Sequence, residues 1–202
     1  MKKRLLCVVL ALTVMLSGCS SGKVVVNENA AEVSAAGVSI AFPVEWRIYT
    51  GDDIYEVTYS RSPDSYASAD ELKKDMEENG EHYIVYAEAP AEDALALFSS
   101  QSLEDSANEE LTVGSLARTT HDSTVFEYRV NGYYTESRLA EETIDGVNGW
   151  LSEISIFKEQ GSEVLSEQRE FMFEKNKTVY SLRIFVQGHI NEQAQNVSLS
   201  AI

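Results

Sequence analysis

The last third of the chain consists of three segments in which apolar and polar residues alternate, and this pattern limits the fold more than any other feature. A period of two is that of a β-strand with one buried face. The turn-rich stretches "KEQGSE" and "KNK" separate the segments, so we predict three consecutive antiparallel strands. The positions that share a face are Trp150, Ser152, Ile154 and Ile156 in "GWLSEISIF", and Tyr180, Leu182, Ile184 and Val186 in "KTVYSLRIFV".

Shorter strands are predicted earlier in the chain. "GVSIAFPVEWRIYT" indicates a strand that ends at Phe42, a break at Pro43, and a second strand that carries Trp46 and Ile48, because proline cannot donate a hydrogen bond to a sheet. "DIYEVTYSR", residues 53–61, alternates again and is predicted as a third strand. "HYIVYAEA" and "DALALFSS" predict two more strands further along.

A helix is predicted at "SADELKKDMEENG". Ser68 and Glu71 have the spacing of a capping box, and Leu72 and Met76 form an apolar pair one helical turn apart. Gly80 suits the left-handed conformation in which many helices end.

Two segments remain to be assigned. "TVFEYRVNGYYTESR" fits a hairpin that turns at Asn131-Gly132, and it fits equally a helix that begins near Ser115 and ends at the same two residues. "INEQAQNVSLSAI" predicts a closing helix that places Val197 or Ile202 on the core. Helices and strands do not alternate regularly, as a parallel sheet requires, so the predicted fold class is α+β with an antiparallel sheet.

The first 19 residues indicate export. Three cations at residues 2–4 precede an apolar run from Leu5 to Leu16, which is typical of a signal peptide and shorter than the roughly 20 residues that span a bilayer. Leu16-Ser17-Gly18-Cys19 follows and resembles the lipobox of bacterial lipoproteins. The resemblance implies that residues 1–18 are cleaved and that Cys19 carries a lipid anchor on the extracytoplasmic face of the cell membrane. The alternative is an ordinary secretory signal with an incidental cysteine.

The remaining chain is predicted to be one domain on a short tether. We assign residues 19–35 to the lipidated cysteine and a flexible tether, although "KVVV" could pair with a sheet edge, and residues 36–202 to the globular domain. Cys7 leaves with the signal peptide and Cys19 is acylated. No disulfide is therefore expected, and the core alone must stabilise the domain.

The chain is strongly acidic, with a formal net charge of −17. Removing the first 18 residues takes away three cations and no acids, which leaves a charge of −20. Such a surface repels phosphate backbones and anionic lipid headgroups, so nucleic acid is not expected as a partner.

No motif predicts a cofactor, a metal site or a nucleophile. His82, His121 and His189 stand far apart, without a second ligand at metal spacing. Asp52 and Asp53 in "GDD" and the acids of "EDSANEE" offer oxygen ligands for Ca²⁺, but neither stretch has the calcium-loop spacing, and a solvated acidic loop is the other interpretation. The chain has no G-x-S-x-G elbow. Paired carboxylates for glycoside hydrolysis remain open.

Four tyrosines are candidates for a binding surface. Tyr133 and Tyr134 adjoin Asn131-Gly132, and Tyr49 and Tyr55 flank "GDD". A tyrosine at a loop edge contributes contact area and a hydroxyl at a low entropy cost. The alternative is that these rings cap the sheet edge or the core.

The order of "VSIAFPVEW", "TIDGVNGW" and "FEKNKTVYSLRIFV" resembles the PsbP-like fold over about residues 36–202. This family includes the photosystem subunit PsbP, a Ran-binding nuclear import factor and many bacterial lipoproteins. The resemblance implies an antiparallel sheet of about six strands with helices on both faces. It also implies a helix before the glycine turn, which favours the helix for residues 115–130. It supplies no catalytic residue, because the relatives are mostly binding or assembly modules.

These features predict a non-enzymatic lipoprotein, held at the membrane by Cys19, that binds an unidentified protein or envelope component. A receptor for a small ligand or Ca²⁺ is the alternative, and a hydrolase with paired carboxylates is a third hypothesis. No cofactor is expected.

Overall fold

The computed structural model describes residues 23–61, 66–91, 93–103, 111–190 and 192–202. Within these ranges the chain forms antiparallel sheets with helices packed on them, so the predicted α+β class is confirmed. The strands are Val24–Asn27 (β1), Ala30–Val33 (β2), Val38–Ala41 (β3), Arg47–Thr50 (β4), Glu81–Glu88 (β5), Ala94–Ser102 (β6), Tyr134–Ile144 (β7), Val147–Phe157 (β8), Val164–Lys175 (β9), Thr178–Gln187 (β10) and Ser198–Ala201 (β11). The helices are Asp53–Arg61 (α1), Ala69–Glu78 (α2), Val113–Val130 (α3) and Glu192–Gln195 (α4).

Seven strands form the main sheet, in the order β4-β5-β6-β10-β9-β8-β7. The three strands predicted in the last third are β8, β9 and β10, and each pairs antiparallel with its neighbour in sequence. β7 joins β8 through the turn at Asp145-Gly146, where both residues have positive φ. The main sheet therefore has one strand more than the six that were expected.

A second sheet, β1-β2-β3-β11, covers one face of the main sheet. Val33 and Ile40 of the second sheet are fully buried in the same cluster as Phe98 and Val186 of the main sheet. Alternate residues of the central strands point into this core, as the period of two in the sequence predicted. This cluster is the largest among the described residues.

The three longer helices lie on the opposite face of the main sheet. α3 packs over β7, β8 and β9, where Val125 contacts Ile154 and Ile156. α1 and α2 pack over β4 and β5, where the Tyr55 ring stacks on the Tyr83 ring. The PsbP-like resemblance implied helices on both faces. Here the second sheet and the one-turn helix α4 take the place of a helical layer on the other face.

Residues 53–61, which were expected to form a strand, form helix α1. Tyr55 and Tyr59 are one helical turn apart and pack in the same cluster, against α2. Asp53 in the first turn and Arg61 in the last turn suit the helix dipole. The strand prediction is wrong because a nine-residue alternation also fits a helix, and contact with α2 decides between the two.

Among the described residues, the chain is already in a strand at Val24, upstream of residue 36. Residues 24–33, which were expected to belong to the tether, form β1 and β2, and these two strands pair with each other. Ala31 and Val33 are fully buried. Alternation over the four residues of β2 is too short to predict a strand by itself. The buried face of β2 exists only because β3 pairs with it.

Helix α2 begins and ends as predicted. The Ser68 Oγ accepts from the Glu71 N–H at 3.1 Å, and the Glu71 carboxylate accepts from the Ala67 N–H at 2.6 Å. The return bond of the capping box therefore reaches one residue upstream of the cap. Gly80 has a φ of +69° and ends the helix.

The segment left open between helix and hairpin is helix α3, which confirms the helical interpretation. Thr112 and Ser115 form a reciprocal capping box at its start, and Gly132, with a φ of +87°, follows its end. In the described ranges no helix combines the length and the apolar character that crossing a membrane requires.

The closing helix is shorter than expected. α4 has four residues, and the chain then forms β11, which pairs with β3. Val197 lies on the core as predicted, whereas Ile202 is 65% exposed.

The close approach of β8 and β9 generates a prediction about Gly149. A Cβ at this position would collide with the Met172 carbonyl oxygen and would lie 2.7 Å from Cζ of Phe171. We expect Gly149→Ala to lower the free energy of unfolding by about 2 kcal/mol, measured by urea denaturation. Ser137→Ala on the exposed edge strand β7 is the control and should change it by less than about 0.5 kcal/mol. Equal stability of the two variants would contradict the packing described.

Candidate functional site

A groove crosses the helix-covered face of the main sheet, between α3 and the α1–α2 pair. Its floor is formed by β6 and β10, because α3 packs over β7–β9 and the α1–α2 pair packs over β4 and β5. We call this feature the central groove. The register places on its floor Leu95, Leu97 and Ser99 of β6, opposite Phe185, Arg183 and Ser181 of β10.

Part of this floor is apolar and is only partly covered by the described part of the chain. Leu95, Leu97 and Phe185 are half-buried, and none of them belongs to a hydrophobic cluster of the described residues. Their neighbours Ala96 and Ile184, which point to the other face, are buried in the main core. Neighbouring apolar side chains that stay partly exposed make this floor the candidate binding surface.

Arg183 is the charged residue at the centre of the floor. Its Nη2 donates to Glu170 Oε1 at 2.9 Å, and the same oxygen accepts from the Ser181 hydroxyl at 2.6 Å. The Glu170 side chain is 3% exposed, whereas that of Arg183 is 41% exposed. The buried carboxylate therefore fixes a guanidinium that faces the groove. The Nε of Arg183 is buried and has no hydrogen-bond partner among the described residues.

Two cavities meet at Arg183. The smaller, about 130 Å³, lies beneath Leu116 and Thr120 of α3 and includes Glu81 in its lining. Burial raises the pKa of Glu81, while the positive charge of Arg183 acts in the opposite direction. The larger, about 460 Å³, opens beneath the C-terminal half of α3. It is lined by Thr124, Glu127, Tyr128, Asn131, Tyr133, Gln168 and Arg183.

The groove widens towards the C-terminal end of α3. Near the start of β10, Ala117 of α3 packs with Met172 and Val179. At the other end, the Arg129 Nε donates to Thr135 Oγ1 of β7 at 2.9 Å. α3 therefore diverges from β10 along its length, and this divergence explains why the larger cavity lies under its C-terminal half.

Exposed apolar side chains follow the outer side of α3, which points away from the main sheet. Phe126 and Val130 are one helical turn apart and are 68% and 66% exposed, and Tyr133 is 41% exposed. We call these three residues the α3 ridge. Phe126 and Val130 were not predicted as surface residues, because apolar residues in a helix are ordinarily assigned to its buried side.

The four candidate tyrosines do not form one surface. Tyr133 lines the groove, and the Tyr134 ring contacts Phe157 with 5.9 Å between the ring centroids. The Tyr49 hydroxyl donates to the buried Glu88 at 3.1 Å. Tyr55 is 6% exposed and belongs to the packing of α1 on α2 and β5 rather than to an exposed surface.

Asp52 and Asp53, the candidate calcium ligands, lie at the start of α1 and are exposed. The Asp52 Oδ1 forms an ion pair with the Lys73 ammonium at 2.8 Å, and Asp53 is in the first helical turn. Over the described ranges, no three His, Cys, Asp or Glu side chains are grouped so that they could hold a metal ion. The second acidic stretch, residues 104–110, lies outside these ranges, as do Leu16, Ser17, Gly18 and Cys19 of the lipobox.

A second buried carboxylate lies on the same face, at the edge formed by β4 and β5. Glu88 is 3% exposed, forms an ion pair with Arg61 and accepts from the Tyr49 hydroxyl. Burial raises the pKa of Tyr86 to about 12, so its hydroxyl keeps its proton at neutral pH and donates to Glu88. Glu88 thus holds the end of α1 on the sheet and forms part of the wall beside the groove.

His121 of α3 pairs with Ser152 of β8 beneath the helix. The Nδ1 of His121 and the Oγ of Ser152 are 2.8 Å apart, and both residues are buried. Burial lowers the pKa of His121, while the neighbouring Asp122 carboxylate acts in the opposite direction. A serine that is 6% exposed cannot meet a substrate in this state, so the pair serves to hold α3 on the sheet.

The central groove was missed at the sequence level, although a signal for it exists. "ALALF" in β6 is apolar at every position, and a central strand of this kind needs a cover on both faces. One face is covered by the second sheet, and the other is left partly bare. The strand order decides which strands the helices leave partly uncovered. A local sequence pattern does not contain the strand order.

The buried His121 generates a prediction about pH. The unfolded chain binds a proton near the ordinary histidine pKa of about 6.5, whereas the folded protein keeps His121 neutral to a lower pH. Stability is therefore lost as pH falls below about 6.5. We expect His121→Gln to flatten the decline in urea midpoint between about pH 7 and pH 5.5. His189→Gln, at a 78% exposed side chain, is the control, and an equal effect of both variants would argue against a buried neutral His121.

Comparisons with known proteins leave the family open. No protein-family model and no curated protein matches the chain. The solution structure of cyanobacterial PsbP (CyanoP) from Synechocystis sp. PCC 6803 aligns with 93% of this chain and 99% of its own, at 10% identity and a TM-score of 0.49. A crystal structure from Bacteroides thetaiotaomicron VPI-5482 aligns with 83% of this chain and 46% of its own, at 12% identity and a TM-score of 0.39. At these levels the function of this chain has to be inferred from its own site.

Proposed function

We propose that the protein is a membrane-anchored, non-enzymatic binding module that holds another protein against the central groove. The observation that carries the proposal is the half-buried apolar floor of the groove, formed by Leu95, Leu97 and Phe185. The α3 ridge is exposed on the outer side of the adjoining helix, and its Tyr133 lines the larger cavity of the groove. Apolar surface in two neighbouring places on one face is typical of a protein-binding surface.

The position of Val24 limits where an anchor at Cys19 would hold the domain. Val24 is five positions after Cys19, a reach of roughly 17 Å when fully extended. Val24 pairs with Val33, next to the turn at Gly37, and the Lys175 side chain lies over Gly37. A lipid on Cys19 would therefore hold the β9–β10 turn close to the bilayer.

The α3 ridge lies at the other end of the main sheet. β9 runs from Val164 to Lys175, a length of roughly 40 Å at about 3.3 Å per residue. The Tyr134 ring contacts Phe157 at the far end of β8, and the Tyr133 N–H donates to the Tyr128 carbonyl at the end of α3. The ridge and the wide part of the groove would then face away from the membrane, where a partner protein can reach them.

A small-ligand receptor is the second candidate function. The 460 Å³ cavity at Arg183 favours it, because ligand sites usually occupy about 300–1,000 Å³ and contain a few polar groups. The wide opening of this cavity and the adjoining apolar ridge fit a protein surface better than an enclosed small molecule.

The anchor is tested by Cys19→Ala. We expect this variant to move from the membrane fraction to the soluble extracytoplasmic fraction, because the substitution removes the thiol that would carry the acyl chains holding the protein in the bilayer. Quantitative immunoblotting of both fractions is the measurement. Ser20→Ala is the control and should stay in the membrane fraction. Unchanged membrane retention of Cys19→Ala would refute the anchor.

Binding is tested by cross-linking in intact cells, followed by pull-down and mass spectrometry of the full-length chain. We expect one protein to be recovered with the wild type and to be depleted by at least about tenfold with the Phe126→Ser, Val130→Ser double variant, because the change removes apolar contact area. Both residues are exposed, so the free energy of unfolding should change by less than about 0.5 kcal/mol.

Val44→Ser is the matched control for the pull-down. Val44 is 80% exposed and lies between β3 and β4, away from the α3 ridge. Equal loss of the partner in the control and the double variant would remove the evidence for the ridge. Absence of any specific protein from the wild-type pull-down would overturn the proposed function and favour a small ligand.

A further inference from the structure

We propose that the central groove receives one amphipathic α-helix of the partner protein, which lies on β6 and β10 and completes the helical layer. This inference rests on the proposed function and adds the kind of structure that the partner presents. It follows from the width of the groove, the state of the backbone on its floor, and the side chains that line it.

The width of the groove matches one helix. At the level of Arg183, α3 lies over β8, where His121 meets Ser152. At the level of the neighbouring Ser181, the α1–α2 pair lies over β5, where Tyr55 meets Tyr83. Four inter-strand steps separate β5 from β8, or roughly 19 Å at about 4.8 Å per step. Helices pack about 8–10 Å apart. The gap therefore holds one additional helix and is too narrow for two.

The floor cannot accept an added strand. β6 is paired with β5 and β10, and β10 is paired with β6 and β9. The backbone N–H and C=O groups of both strands are thus engaged on either side. A segment that covers the floor must satisfy its own backbone hydrogen bonds, as an α-helix does.

The side chains of the floor define the apolar face of such a helix. Leu95 and Phe185 are directly opposite each other, and Leu97 is opposite Arg183 in the next row of the same face. Apolar residues at positions i, i+3, i+4 and i+7 of a helix would cover the bare surface of Leu95, Leu97 and Phe185. The wide end of the groove, beneath the C-terminal half of α3, provides the entry.

The charges around the groove favour a helix with basic flanks. Glu81 lines the narrow end and Glu127 lines the wide end. In the described ranges neither carboxylate has an ion pair, whereas the guanidinium of Arg183 is held by Glu170. The unpaired charge along the groove is therefore negative, and the whole chain carries −17. Lysine or arginine beside the apolar stripe of the partner helix would complement these carboxylates.

The test places a photo-cross-linking residue, p-benzoylphenylalanine, singly at Leu95, Leu97, Phe185 and the control position Val44 of the full-length chain in cells. Cross-linked partner peptides are sequenced by mass spectrometry. We expect cross-links from the three groove positions to fall within one partner segment at spacings of three or four residues. Val44 should give none in that segment.

A charge variant supports the same measurement. Leu95→Glu should lower the cross-linking yield from position 97 by about tenfold, because an added carboxylate would face the apolar side of the helix. Val44→Glu should leave that yield unchanged. Thermal unfolding of both variants confirms that each is folded before the yields are compared.

The outcomes separate the two proposals. Three outcomes would overturn the helix and leave the proposed binding module in place. They are cross-links spaced by two residues, cross-links to this chain itself, and groove positions that capture nothing while the α3 ridge double variant still loses the partner. Absence of cross-links together with an empty pull-down would overturn both.

Discussion

Burial of one face of the main sheet beneath the second sheet is the interaction on which the rest of the structure depends. The second sheet is built from both ends of the domain, since β1, β2 and β3 precede the main sheet in sequence and β11 follows it. Val33, Ile40, Phe98 and Val186 meet in this core with almost no exposed surface. Each such side chain contributes about 1.5–3 kcal/mol. No cysteine follows Cys19, so apolar burial, rather than a cross-link, joins the two ends of the domain.

The opposite face is covered incompletely, and this asymmetry gives the protein its candidate site. α3 is held over β7–β9 by Val125 and by the His121–Ser152 pair, while the α1–α2 pair is held over β4 and β5 by the stacked tyrosines and by Glu88. The two central strands between them keep an apolar floor and a guanidinium fixed by Glu170. This floor between two helical walls is the surface on which the proposed partner would bind.

Sequence patterns predicted the elements whose signals are local. The three antiparallel strands from Val147 to Gln187 follow from alternation, and α2 follows from Ser68, Glu71 and Gly80, because a cap and a left-handed exit are properties of a few adjacent residues. The strand prediction for α1 was wrong because its short alternation fits both a strand and a helix, and only the contact with α2 decides between the two. The predicted end of the tether at residue 35 was wrong for β2, because β2 has a buried face only when β3 pairs with it.

The sequence by itself determined the α+β class and the antiparallel pairing, since both follow from the two-residue period of the strands and from the turn residues between neighbouring segments. Tertiary structure alone decided which strands lie at the centre, which face each helix covers, and therefore where the central groove lies. The physical reason is that a strand's period reports that a face is buried but not what buries it. Leu95, Leu97 and Phe185 have the same pattern as core residues, and the placement of two helical units, far apart in sequence, leaves them only half-buried.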